Sequence, residues 1–105
     1  MSDIENIIEK TKATDNYSPE AWEERGLNIS EPEVVKLLNE TTIEFLDKLK
    51  TVANSEDDIE QRFSEVNELV DDLPWDDFDT EEREFLADVL VPPIESLGLD
   101  PWDMF

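Results

Sequence analysis

Apolar residues recur along this chain at the three- and four-residue spacing of amphipathic helices, with charged residues between them. No run of four or more residues alternates apolar and polar positions with β-branched enrichment, so no strand is predicted. The pattern therefore predicts an all-α fold, a small helical bundle of three main helices plus one or two short N-terminal helices.

The first two main helices are bounded by capping signals. Ser30 begins a capping box ahead of the longest helix, predicted from Glu31 to Ala53. The segment 55–58 caps the next helix, which is predicted to end near Asp72. Both helices carry a single apolar stripe, as expected of helices that pack on one face.

The third main helix is predicted to start at Asp79 or Thr80 and to end at Gly98. Pro92 and Pro93 lie inside it. Because a proline removes one helical hydrogen bond and clashes with the preceding turn, we expect a kink or short break there, followed by a last turn and an irregular tail.

Two short helices are predicted at the N-terminal end. A capping box at residues 2–5 begins the first, and its polar end, residues 10–16, is predicted to be a loop. Ser18 and Pro19 read as an N-cap and a first helical position, and Gly26 ends a second helix spanning Pro19 to Arg25.

The aromatic residues divide into two groups. Trp75 lies outside a clear stripe, so it either fills a joint between helices or is exposed. Trp102 and Phe105 either cover the end of the bundle or form a second candidate surface for partner or dimer contact. Four other aromatic residues lie on apolar faces and are predicted to be core: Trp22, Phe45, Phe63 and Phe85.

The segment from Asp71 to Glu82 is the most distinctive part of the chain. Seven of its 12 residues are acidic and none is basic, yet it also contains Trp75 and Phe78. Pro74 ends the preceding helix, so the segment is predicted to be a corner between helices. Carboxylates attract a cationic partner, and rigid aromatic rings retain it once water is displaced.

The whole second half of the chain is acidic, not only this segment. The 105 residues suit a single domain, and 30 acidic against 8 basic residues give a net charge of −22. Residues 1–54 carry 12 acidic and 6 basic groups, whereas residues 55–105 carry 18 and 2. Such a field excludes ordinary binding to nucleic acid or to an anionic membrane.

The residue types argue against catalysis. Cysteine and histidine are absent, and no glycine-rich phosphate loop is present. The acids from Asp77 onward follow a calcium-loop spacing, but Glu82 stands where the loop requires glycine. We therefore predict a protein that is not an enzyme and has no cofactor or dedicated metal site. Since no signal peptide or long apolar run is evident, a cytoplasmic protein is expected.

Two segments carry a family resemblance. Residues 18–27 and 80–85 resemble segments of a small, all-helical, functionally uncharacterised bacterial domain family. In size and acidity the chain also resembles bacterial immunity proteins that block nuclease toxins. The resemblance implies a non-enzymatic inhibitor with a basic protein as its partner, and it transfers no residue roles.

The leading hypothesis is an immunity protein that neutralises a basic nuclease toxin by electrostatic and steric occlusion. Two alternatives remain open: a nucleic-acid mimic that regulates a DNA-binding protein, and an accessory domain whose acidity serves only solubility, as in salt adaptation. Acidic residues cluster, and the lysines are confined to the first half of the chain. This distribution favours a negative field directed at a partner over acids spread evenly for solubility. The predicted partner-binding residues are Asp71, Asp72, Trp75, Asp76, Asp77, Phe78, Asp79, Glu81, Glu82, Glu84 and Asp88.

Overall fold

The computed structural model describes residues 3–55 and 58–105, and within these ranges it is helical with no strand. The predicted all-α bundle is therefore confirmed. Two 3₁₀ turns, Trp75–Asp77 and Pro101–Asp103, accompany the α-helices. The helices are α1 (Asp3–Ala13), α2 (Pro19–Glu24), α3 (Pro32–Ser55), α4 (Ile59–Asp71) and α5 (Thr80–Ser96).

Helix α3 is the centre of the bundle, because α1, α4 and α5 all pack against it. Its apolar stripe is buried, and α1 also packs on α5, which closes the bundle. Phe63 is half-buried against this core. The largest fully buried side chains are Ile8, Tyr17, Trp22, Leu38, Leu46, Leu49, Val66, Val70, Leu86, Leu90, Ile94 and Leu97.

An aromatic cluster joins the N-terminal segment to α5. The ring centroids of Tyr17 and Trp22 lie 4.9 and 4.8 Å from that of Phe85. The Tyr17 hydroxyl shares a 2.6 Å hydrogen bond with the hydroxyl of Thr42, a polar residue on the buried face of α3, so both buried hydroxyls have a partner. Burial raises the pKa of the Tyr17 hydroxyl above its usual value.

The N-terminal helix is longer than predicted, because α1 continues through residues 10–13. Its polar end is held against α3 by ion pairs: Lys12 Nζ contacts Asp47, and Lys50 Nζ lies 3.4 Å from a Glu9 carboxylate oxygen. A polar helix end can therefore be ordered by tertiary charge pairs that local sequence does not reveal. The capping box predicted at residues 2–5 lies partly outside the described residues.

The capping signals predicted for the second helix are confirmed. The Ser18 hydroxyl accepts a hydrogen bond from the Ala21 backbone N–H, and Pro19 is the first helical residue. Gly26 follows the helix with φ of 74°, in the left-handed region that favours glycine.

Of the kink or short break predicted at Pro92 and Pro93, the break is wrong, since α5 continues to Ser96. A proline has a φ close to the helical value, so the backbone can remain helical although two N–H donors are lost. Pro93 and the following Ile94 are both buried, and this tertiary packing holds the segment in the helix. Gly98, with φ of 85°, terminates it as predicted.

Helix α4 starts within the segment predicted to cap it, whose first residue, Ser55, is still part of α3. Asp58 is the N-cap, and its carboxylate accepts a hydrogen bond from the Glu60 N–H. Residues 56 and 57 of the predicted cap lie outside the described residues. In the first turn, the Arg62 guanidinium donates to the carbonyls of Ala53 and Leu97. One arginine thereby joins the C-terminal ends of α3 and α5, where a positive charge is favoured by both helix dipoles.

Candidate partner-binding surface

The predicted corner forms by a succession of local signals. Helix α4 ends at Asp71, and Pro74 leads into the 3₁₀ turn of residues 75–77. Asp79 then caps α5, with its carboxylate accepting from the Glu82 N–H while the Glu82 carboxylate accepts from the Asp79 N–H. This reciprocal capping box fixes the direction in which the chain leaves the corner.

Most of the predicted partner-binding carboxylates lie on the surface. The side chain of Asp76 is fully exposed, and that of Asp88 is about half exposed, at 48%. Within the described residues, Asp71, Asp72 and Asp77 make no ion pair. The exposed predicted carboxylates are Asp71, Asp72, Asp76, Asp77, Asp79, Glu81, Glu84 and Asp88.

The placement of Asp71 and Asp72 opposes local stability. They lie at the last position and the C-cap of α4, where the helix dipole favours a cation, and the last turn contains no basic residue. A negative charge next to the negative, C-terminal end of an exposed helix is unfavourable by about 0.3–1 kcal/mol at low ionic strength. Glu81 differs, because it lies in the first turn of α5, where negative charge is favoured. Helix stability therefore accounts for Glu81 but not for the two aspartates.

Phe78 is not available as a surface anchor, which corrects the prediction. Its side chain is only 3% exposed and belongs to the hydrophobic core. It is the residue between the 3₁₀ turn and the α5 N-cap, with extended backbone. Burying a phenylalanine at this position ties the acidic corner to the bundle, and the free energy of burial explains why the ring points inward.

Glu82 is also a structural residue, contrary to the prediction that it contacts a partner. It is 7% exposed, and its carboxylate accepts hydrogen bonds from the Asp79 N–H and the Ser30 hydroxyl. These bonds satisfy a buried charge and join the loop before α3 to the first turn of α5. A carboxylate with these partners is shielded from a docking protein.

Trp75 combines the two roles that the sequence left open. Its indole N–H donates to the Val70 carbonyl at 2.8 Å, and the half-buried ring packs against the core at the end of α4. The ring also meets Phe105, with centroids 6.0 Å apart and planes at 82°. Trp75 therefore fills the joint between helices and presents part of its ring to the C-terminal tail.

The tail completes a groove that the sequence did not reveal. Trp102 lies 6.3 Å from Phe105 between ring centroids, so Trp75, Phe105 and Trp102 form a continuous aromatic row. The groove has a volume of about 580 Å³, within the range of pockets that hold small ligands. Its lining is Trp75, Arg83, Glu84, Ala87, Asp88, Trp102, Met104 and Phe105.

The C-terminal tail contains a local capping signal from which its ordered turn could have been predicted. Asp100 caps the 3₁₀ turn of residues 101–103 by accepting from the Trp102 N–H, and Pro101 is buried in that turn. An aspartate before a proline is a typical cap, so an ordered turn was predictable here. Which helix the turn meets depends on the tertiary fold.

The arginines next to the groove already have partners. The Arg83 Nε donates to the Trp75 carbonyl at 2.7 Å, and its guanidinium lies 4.0 Å from Asp76. Arg25, from the end of α2, binds Asp88 at 2.8 Å and lies 4.6 Å above the centre of the Phe85 ring. Glu84 makes no ion pair within residues 3–55 and 58–105.

Two further properties of the described part of the chain bear on the site. Its carboxylates do not gather into a group of three or more that could hold a metal ion. None of its helices combines the length and the apolarity needed to cross a lipid bilayer.

Comparisons with known proteins do not place the chain in a family. No protein-family model, curated protein or solved structure matches it. The chemistry of the corner and of the groove beside it therefore provides the basis for a functional proposal.

Proposed function

We propose that this chain is a non-enzymatic acidic binding protein that neutralises a basic protein, in the manner of an immunity protein acting on a nuclease toxin. The observation that carries the proposal is the placement of Asp71 and Asp72. They are exposed at the C-terminal end of α4, where they oppose the helix dipole and have no ion-pair partner among the described residues. A basic partner would relieve this local repulsion.

The mechanism is competition for cationic side chains. A nuclease binds phosphates with lysines and arginines, and exposed carboxylates can pair with the same groups. The corner offers several within a short segment, and more than two thirds of the net charge lies in the second half of the chain. Such a field steers a basic protein toward the corner and raises the association rate at low salt.

The exposed carboxylates of the corner and of α5 would form the contact surface. Phe78 and Glu82 would contribute by holding the corner in place rather than by touching the partner, because both are buried. The proposed contact residues are Asp71, Asp72, Trp75, Asp76, Asp77, Asp79, Glu81, Glu84 and Asp88.

The aromatic groove gives a specific reason to consider a second candidate function. Rings beside carboxylates resemble the bases and phosphates of a nucleic acid, so the surface also suits a regulator that occupies the site of a DNA-binding protein. The two functions share one surface and differ in the partner. Acidity that serves only solubility would require no partner.

Affinity capture tests the proposal. The full chain is immobilised and exposed to extract of its own organism at about 0.01 M salt, where the Debye length is ~30 Å. Retained proteins are then eluted with a gradient to about 1 M, where that length falls to ~3 Å. We expect a basic nuclease that elutes within the gradient and loses activity when mixed with the protein. A basic DNA-binding protein without nuclease activity supports the second candidate, and retention of no basic protein contradicts both.

A further inference from the structure

The aromatic row of the groove is exposed although large rings are normally buried. Trp102 is 59% exposed and Phe105 38% exposed, and they continue the row that starts at Trp75. Met104 and Ala87 add apolar surface between the tail and α5. A contiguous apolar surface rimmed by charged residues is typical of an interaction site rather than of a random exposed side chain.

The charge beside this row identifies the kind of group that fits it. Glu84 and Asp88 are one helical turn apart on α5 and both line the groove. Arg83 is already engaged by the Trp75 carbonyl, and Asp88 by Arg25, whereas Glu84 has no ion-pair partner among the described residues. A ligand of the groove therefore meets aromatic faces together with an uncompensated carboxylate, and this combination favours a cation.

The protein itself shows which cation suits such a combination. Arg25 lies over the Phe85 ring, with its guanidinium carbon 4.6 Å from the centroid, while it binds Asp88 at 2.8 Å. A planar guanidinium can stack on a ring and form directed hydrogen bonds to a carboxylate at the same time. A lysine ammonium is more strongly hydrated and cannot stack, so it uses this combination less well.

We propose that the groove binds an arginine side chain of the basic partner, with the guanidinium stacked on Trp102 and paired with Glu84. This inference rests on the proposed function, because it supplies the anchoring contact for a partner that the carboxylates attract. Charge at the corner would set the rate of encounter, and the groove would select arginine over lysine. A second copy of this chain is a poor occupant, since each copy carries a net charge of −22.

Two peptides of equal charge test the groove. Acetylated and amidated penta-arginine and penta-lysine are titrated into the full chain at low salt, and binding is measured by calorimetry. Arginine also pairs better with carboxylates in general, so the decisive quantity is how the arginine-to-lysine affinity ratio changes in the Trp102→Leu variant. This variant keeps an apolar side chain and removes the aromatic face. We expect the ratio to fall by about two- to fivefold, as exposed cation–π contacts imply.

Further variants separate this inference from the proposed function. Glu84→Gln should weaken both peptides and penta-arginine more, whereas Glu24→Gln, at an exposed acid of α2, should leave the ratio unchanged. An equal arginine-to-lysine affinity ratio in the native protein and in Trp102→Leu overturns the proposal that the groove binds arginine, even if both peptides still bind in a salt-dependent way. Absence of binding by either peptide at low salt contradicts the proposed function itself.

Discussion

Neutralising the corner should slow association with the captured basic partner by about 10- to 1,000-fold at low salt, the range over which electrostatic steering acts. The variant carries Asp71→Asn, Asp72→Asn, Asp76→Asn, Asp77→Asn and Glu81→Gln, which changes the net charge from −22 to −17. Stopped-flow or surface-plasmon-resonance measurements across a salt series give the association rate. The dependence of that rate on salt should also become shallower, because fewer charges are screened.

A variant of equal net charge provides the control for this result. Five exposed acids in the first half of the chain are replaced with glutamine, so the total charge is again −17 and only its location differs. If both variants slow association equally, total charge and not the corner governs binding, and the proposal that the corner is the contact surface fails. The control substitutions are Glu20→Gln, Glu23→Gln, Glu24→Gln, Glu33→Gln and Glu40→Gln.

Replacing Trp22 with alanine should lower the free energy of unfolding by about 3–5 kcal/mol, the usual cost of truncating a buried tryptophan. Trp22 is 1% exposed, its indole N–H donates to the Tyr17 carbonyl at 3.2 Å, and its ring meets Phe85 edge-on. The substitution removes the hydrogen bond and the ring contact, and it leaves a cavity between α2 and α5. Urea unfolding followed by circular dichroism measures the change.

Trp102→Ala is the matched control, because Trp102 is 59% exposed and lies outside the core cluster. Its free energy of unfolding should stay within about 0.5 kcal/mol of the native value. Equal destabilisation by the two substitutions would mean that Trp102 is a structural residue, and the groove would then lose its most exposed ring as a binding element.

The helices were predictable because their boundaries depend on neighbouring residues. Ser18 and Asp79 cap helices through their own side chains, and Gly26 and Gly98 end them with positive φ. Such signals act over a few residues and can be read from the sequence. Pro92 and Pro93 misled the prediction of a break, because the packing that buries Pro93 and Ile94 in α5 comes from distant parts of the chain.

The surface was predictable as an acidic region but not residue by residue. Glu82 cannot be told in sequence from the exposed glutamate before it, and Phe78 lies in an acidic segment outside any apolar stripe. Only the tertiary fold places Phe78 in the core and Glu82 against Ser30. The meeting of Trp75 with Phe105 joins residues 30 positions apart, which no local pattern encodes. Charge density was therefore a better guide to the candidate surface than its aromatic residues were.

The most direct test of the proposed surface is carboxylate footprinting of the full chain with and without the captured partner. A carbodiimide and an amine label exposed carboxylates, and mass spectrometry reads the labelling at each residue. Binding should protect Asp71, Asp72, Asp76 and Asp77 and leave the exposed acids of residues 20–24 labelled as before. Protection of residues 20–24 with unchanged labelling of the corner would contradict a partner-binding role for the corner.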